Sequence, residues 1–333
     1  MKRVVKLGQN SRKTGDFILQ QRFCDIDRMT EQLQILNKVQ LTQLSTNPLV
    51  CDIAMVACDE AILCFAKSSC PILVMAEKRK DFVVFNCVLE TNGSCVISHK
   101  RRVSHHILFG FNPNLEGNFV TPADLKIASL HIRRDIFQNY LHLMERSDLD
   151  ERLWAHNYIS APHTLPTIQT YLNQLHYLIL HQPDFLQQPH LSRVILEDFI
   201  PLLVNAIPPL NKGVSKPPRL LGRSQMVKEA EEYLMSHLDQ PLTLKDLCQA
   251  LHISKTSLFN GFQDVFGVGP MEYLKAQRLH SVRRLLKAAD PRIDSVTAIA
   301  QQFGFWSAGH FTHDYKQMFG ELPSATLKQA SNI

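Results

Sequence analysis

The spacing of apolar residues changes character along the chain. Between Val39 and about Ile132 they come in short runs: VQLTQLS, LVCDIAMVAC, AILCFA, PILVMA, FVVFNCVL, CVISH, HHILFGF and KIASLHI. These runs are rich in β-branched and aromatic residues, and they are broken by STNP, KSSCP, EKRKD, ETNGS, NPNLEGN and TPAD, which is turn chemistry. Strands at roughly 8–12-residue spacing with no helix between them predict a small antiparallel barrel or sandwich. Ahead of this block, Asp25 to Leu36 sets Ile26, Met29, Leu33 and Leu36 on one helical face, with Asp25 as N-cap. Residues 1 to about 23 carry little pattern and read as a loose arm.

After Arg133 the period lengthens. A helix is expected near 134–146, and Thr164 to His181 repeats Leu165, Ile168, Leu172, Leu175 and Ile179 at intervals of three and four. A third helix over about 190–206 holds Leu191, Val194, Ile195, Phe199 and Leu203. Such amphipathic pairs either close a core or form a dimer interface, and their spacing does not separate the two. Ile207 to Ser224 carries two Pro-Pro pairs, two glycines, Lys212, Lys216, Arg219 and Arg223, the composition of an extended basic linker. The expected organisation is α+β: a strand-rich N-terminal domain with helices over 1–206, a linker over 207–224, and an all-α domain over 225–333. That last domain opens with a helix burying Val227, Ala230, Leu234 and Leu238.

Within it one pattern is written twice. The first copy runs Thr243, Leu244, Leu247, Cys248, Leu251, Ser254, Leu258, Phe262, Phe266, Gly267, Pro270. The second runs Ser295, Val296, Ile299, Ala300, Phe303, Ser307, Phe311, Tyr315, Phe319, Gly320, Pro323. Thr243 and Ser295 are 52 residues apart, Ser254 and Ser307 are 53, so one residue has been added in the second turn. Each copy reads as cap, apolar stripe, turn, cap, second stripe, and a Gly-then-Pro ending. Asp246 stands at N3 of the first helix, and His252–Ile253 and Gly304 mark the turns. Two tandem helix-turn-helix units follow, over 243–266 and 295–319. Between them residues 270–289 bury Tyr273, Leu274, Leu279, Val282 and Leu286 and carry Lys275, Arg278, Arg283, Arg284 and Lys287, with each arginine salt-bridged, solvated or on phosphate. About 20 residues at a 1.5 Å rise give roughly 30 Å, close to the ~34 Å between successive major-groove segments on one face of B-DNA.

Composition alters this picture little. The net charge of +5 on 333 residues permits nucleic-acid binding without demanding it. No apolar run is long enough for a membrane span and the basic start lacks a secretory core, so a soluble cytoplasmic protein is expected. Eight cysteines show no Cys-x-x-Cys pair and read as reduced, mostly buried thiols. There is no G-x-G-x-x-G, no Walker loop and no cupin-type His-x-His centre. His105 and His106 are adjacent, would face opposite ways in a strand, and make a poor metal pair. No cofactor, metal or catalytic residue is expected.

The stretches LTLKDLCQALHIS, Phe262–Phe266–Gly267–Pro270, RLHSVRRLL, IAQQFGFWS and DYKQMFGELPSATL make residues from about 225 to 328 resemble the DNA-binding domain of the AraC/XylS family of transcription regulators. The resemblance implies sequence-specific binding of double-stranded DNA near promoters, usually with activation through RNA polymerase. It also implies an N-terminal domain that senses a small effector, forms a homodimer, or both. Two residues depart from the pattern: His252 stands where such turns usually carry Gly, and Val282 where the linking helix often carries Ala. Residues beside each second cap and off the buried stripe are the candidate DNA readers. In the first unit they are Lys255, Thr256, Phe259, Asn260 and Gln263; in the second they are Ala308, Gly309, Thr312, His313 and Lys316. Asn and Gln suit adenine, Lys suits guanine or phosphate, and Thr or Phe can meet a thymine methyl, so the first unit is expected to carry most discrimination. The rival reading is a cysteine-dependent alkyl-acceptor repair protein with a regulatory DNA-binding domain, and Cys51, Cys58, Cys64 and Cys70 sit in settings too apolar to suit it.

Overall fold

The computed structural model describes residues 3–6, 17–90, 93–149, 153–186, 191–209, 217–218 and 222–330. In chain order the N-terminal half contains β1 (Arg3–Lys6), β2 (Phe17–Phe23), α1 (Ile26–Leu33), β3 (Lys38–Gln43), β4 (Cys51–Ala57), β5 (Ala61–Ser68) and β6 (Ile72–Glu77). It continues with β7 (Phe82–Glu90), β8 (Val96–Ser98), β9 (Arg101–Val103), β10 (Ile107–Phe109), β11 (Gly117–Thr121) and β12 (Lys126–Arg133). Then come α2 (Arg134–Leu143), β13 (Tyr158–Ser160), α3 (Leu165–His181), α4 (Pro183–Leu186) and α5 (Leu191–Ala206). The strands form two sheets, one ordered β1-β2-β4-β5-β12-β7-β10-β13 and the other β3-β6-β11-β8-β9. All the pairings are antiparallel.

The larger sheet is apolar on both faces because both are covered. Alternate residues such as Ile18, Val56, Leu63, Phe65, Phe85 and Leu130 pack with Phe137 of α2, Leu172 and Ile179 of α3 and Phe199 of α5. Their neighbours Leu19, Ile53, Met55, Ile62 and Cys64 turn to the opposite face and join Leu41, Ile72 and α1. That is the period of two that a strand imposes. The expected α3 stripe is buried throughout, as are Phe199 and Leu203 of α5.

Three sequence expectations need correcting. The loose arm is partly sheet: β2 pairs with β4 from Phe17↔Ala57 to Phe23↔Cys51, burying Ile18, Leu19 and Phe23. Gln20, Gln21 and Arg22 hid this strand by interrupting its apolar run. Tyr158–Ser160 adds a strand beside β10 that three residues could not announce. His105 and His106 lie in a turn, not a strand, and their rings stand 3.6 Å apart. Among the described residues no group of three or more His, Cys, Asp or Glu could hold a metal, and no helix is long and apolar enough to cross a membrane.

Among the described residues only helices follow: α6 (Ser224–Ser236), α7 (Leu244–Leu251), α8 (Lys255–Phe266), α9 (Pro270–Ala288), α10 (Val296–Gln302), α11 (Ala308–Phe319) and α12 (Pro323–Ala330). Of the expected linker, residues 210–216 and 219–221, with Lys212, Lys216 and Arg219, lie outside the described residues. The two halves share apolar clusters. Leu19, Phe23, Ile26 and Met29 are buried in one cluster with Leu279, Val282, Phe311 and Phe319. Leu44, Ile97 and Val120 are buried in another with Phe262, Val265, Phe266 and Val268.

Candidate nucleic-acid interface

Local chemistry sets each helix-turn-helix unit. The Thr243 hydroxyl accepts from the Asp246 N–H while the Asp246 carboxylate accepts from the Thr243 N–H at 2.9 Å, a reciprocal capping box. His252 closes α7 with φ 54 and ψ 39, the left-handed conformation that its turn position demands and that glycine would adopt without strain. The Ser254 hydroxyl accepts from the Ser257 N–H and starts α8. Ser295 caps α10 in the same way through Ala298 N–H. Ser307 departs from expectation: it occupies the N-cap of α11, but its hydroxyl makes no capping bond. Gly267 and Gly320 end the two second helices at φ 72 and 74.

In α8 the stripe Leu258, Phe262, Val265 and Phe266 is buried, and so is Gly261. A Cβ on Gly261 would lie 2.5 Å from the Met226 methyl and 2.7 Å from a Val227 methyl, so α6 and α8 meet backbone to side chain there. The outer face then presents Lys255, Thr256, Phe259 and Asn260 to solvent, with Phe259 49% exposed. Gln263 is exposed too, but it is set apart: its Nε2 donates to the Gly267 carbonyl at 3.0 Å, and it borders a cleft shared with Asn47, Cys95 and Arg102 of the N-terminal half. In α11 Phe311, Tyr315, Met318 and Phe319 are buried, Ala308, Gly309, His313 and Lys316 are exposed, and Thr312 is half-buried. Lys255 and Lys316 form no ion pair among the described residues. Trp306, in the turn before α11, is 70% exposed.

The basic residues of α9 each have a partner within the chain. Arg278 donates to the carbonyls of Leu238 (2.9 Å) and Gln240, and burial lowers its pKa. Lys275 pairs with Asp314 at 2.6 Å, and Arg284 reaches the Ser281 hydroxyl at 3.1 Å. Arg283 is enclosed: its guanidinium meets Asp25 and Asp27 at 2.5 Å each and Glu321 at 2.9 Å, over the ring of Phe319 at 4.5 Å. Lys287 adds a 2.6 Å contact to Asp27. Arg278 and Arg283 thus have partners inside the fold, whereas Arg284 stays exposed beside Ser281 on its own helix.

The N-terminal half holds a cavity of about 120 Å³ between its two sheets and beside α1, lined mainly by apolar side chains including Met29, Leu41, Ile53, Val74, Phe109 and Ile127. Lys78, His99 and His131 also border it. Burial pushes the thiols of Cys51, Cys64 and Cys87 up to about 12, the opposite of what a nucleophilic thiolate needs.

Residues 247–329 match a family model described as a helix-turn-helix domain. A probable thc operon regulatory protein of Rhodococcus erythropolis is 42% identical over 103 residues, which is 31% of this chain and 31% of that one. The XylDLEGF operon transcriptional activator of Pseudomonas putida is 34% identical over 98 residues, 29% of this chain and 30% of its own. The chain thus matches under a third of the length of these curated relatives. A solved structure described as a probable AraC family transcriptional regulator from Rhodopseudomonas palustris is 40% identical, covering 32% of this chain and 98% of that one with a TM-score of 0.30. The C-terminal tandem helix-turn-helix domain of this chain is thus of the type carried by these operon regulators, the AraC/XylS type.

Proposed function

We propose that the protein is a cytoplasmic transcription activator that sets α8 and α11 into successive major grooves of double-stranded DNA. One observation carries the reading: two copies of the unit each bury one helical stripe and leave the opposite face of the second helix open to solvent. Lys255, Thr256, Phe259 and Asn260 make the first face the more discriminating, since amide, hydroxyl and ammonium groups distinguish base edges. Gln263 contributes once it leaves its Gly267 carbonyl. Ala308, Gly309, Thr312, His313 and Lys316 offer fewer hydrogen-bonding groups, so the second unit adds backbone and shape contacts. Activation is supported by the name of the Pseudomonas putida relative, and engagement of RNA polymerase is what the family resemblance implies.

The cavity between the sheets supports an effector-sensing role for residues 1–206, with 207–224 as the linker and 225–333 as the DNA-binding domain. The exposed face of α3, where Tyr177 and Leu180 lie open, is a surface on which a homodimer could form. The buried, high-pKa cysteines favour regulation over alkyl transfer. Selection of bound sequences from a random DNA pool tests the central reading. Thr256→Ala and Asn260→Ala are expected to change the preferred sequence, and an unchanged preference in both variants removes α8 as the reading helix.

A further inference from the structure

The turns of the two helix-turn-helix units differ in length by one residue, and the backbone shows which one it is. His252 and Gly304 are both left-handed, at φ 54 and 78. The residue after each donates its N–H back to the preceding helix, Ile253 to the Cys248 carbonyl at 3.0 Å and Phe305 to the Ala300 carbonyl at 3.1 Å. Both of these side chains turn inward. Ile253 packs on the cluster of Phe262 and Leu258, and the Phe305 ring stands 5.1 Å from that of Phe311. In the first unit the cap, Ser254, comes next, whereas in the second Trp306 intervenes before Ser307. The added residue is therefore Trp306, and nothing in the first unit corresponds to it.

Phe305 has taken the inward position, so the indole is left outside the core, 70% exposed. The second helix of such a unit meets base edges with its N-terminal residues. A residue standing just before the cap of α11 is carried to that same edge of the groove. The side chains that follow it, Ala308 and Gly309, bear no hydrogen-bonding group, and a Cβ placed on Gly309 would meet nothing within 4 Å. Farther along the outer face Lys316 is exposed and makes no ion pair among the described residues. A large apolar ring with an unpaired ammonium on the same helix suits a duplex, whose groove sets thymine methyls and sugar carbons beside phosphates.

We infer that Trp306 is the principal apolar DNA contact of the second unit, its indole laid against the sugar carbons and thymine methyls that edge the groove under α11. The contact makes good what that helix lacks in polar readers, and it neutralises no phosphate. The inference rests on the DNA-binding reading proposed above.

The test uses the fluorescence of the full chain with a duplex selected for binding. The chain has two tryptophans, and Trp154 is only 5% exposed, so quenching by acrylamide reports on Trp306. Saturation with the duplex is expected to lower that quenching severalfold. Trp306→Ala should bind the duplex roughly tenfold more weakly, as loss of a buried aromatic surface would, and should leave the salt slope unchanged. Trp306→Phe should recover most of the affinity. Quenching unaltered by a duplex that binds, natural affinity in Trp306→Ala, or a salt slope shallowed as far as in Lys316→Ala overturns the inference. The quenching measurement needs no substitution, so it decides the matter even where Trp306→Ala fails to fold. A duplex that binds while Trp306 stays open to acrylamide overturns this contact alone, whereas failure of the natural chain to bind any duplex counts against the DNA-binding reading.

Discussion

Arg283 lies in the middle of α9 with a side chain only 5% exposed, held by carboxylates from both halves of the chain: Asp25 and Asp27 from the start of α1, and Glu321 from the end of α11. Burial opposes the charge on Asp27, yet Lys287 and Arg283 outweigh it and hold that carboxyl below its usual range. A carboxyl depressed in the fold contributes stability above its unfolded pKa and loses it as pH falls through the folded value. The contacts joining α1 to α9 should therefore weaken in acid, below about pH 4, where an unfolded Asp side chain titrates. Arg283→Met leaves three carboxylates facing one another and is expected to cost about 3–5 kcal/mol in urea unfolding. A loss below about 1 kcal/mol would mean that the cluster behaves as an exposed surface pair. On the proposed DNA face, Lys316→Ala should weaken binding evenly across sequences and shallow the salt slope by about one. An unchanged slope removes Lys316 from the phosphate contacts.

Among elements, those governed by neighbours in sequence were legible and those governed by distant pairing were not. The caps at Asp25, Thr243, Ser254 and Ser295, the left-handed residues His252, Gly267 and Gly320, and the stripes of α3, α8 and α11 all follow from residues three or four positions apart. Ser307 shows the limit of that reading, since a serine at the right position still leaves its capping bond unmade. β2 and β13 exist because β4 and β10 accept them as partners, and no local period announces that. The basic face of α9 was visible, but whether it met DNA or protein depended on where α1, α11 and the loop after α6 come to lie. Gly261 is a further case, ordinary in a helix until α6 is brought against it. Gly261→Val should push α6 away and destabilise the first unit beyond the ~1 kcal/mol expected for Thr243→Ala, which removes only one cap. Comparable losses by circular dichroism in urea would mean that α6 yields easily at this contact.

At the scale of the molecule, both helix-turn-helix units rest against the N-terminal half. The first does so through the Phe262 and Phe266 cluster and a 2.6 Å pair between Arg102 and Asp264. The second does so through the cluster that contains α1, α9 and α11. Helix α1 also lines the cavity with Met29 and Leu33, so the element that walls the proposed effector site also anchors Arg283. The 19 residues of α9 span roughly 28 Å at 1.5 Å each, and that length underlies the proposed spacing of the two reading helices. Hydroxyl-radical footprinting of the full chain on its selected site measures this directly. The account predicts two protected windows on one face of the duplex, one helical turn or about 34 Å apart, with protection under α8 weakened in Asn260→Ala and protection under α11 weakened in Lys316→Ala. A single window, or two on opposite faces, would contradict it.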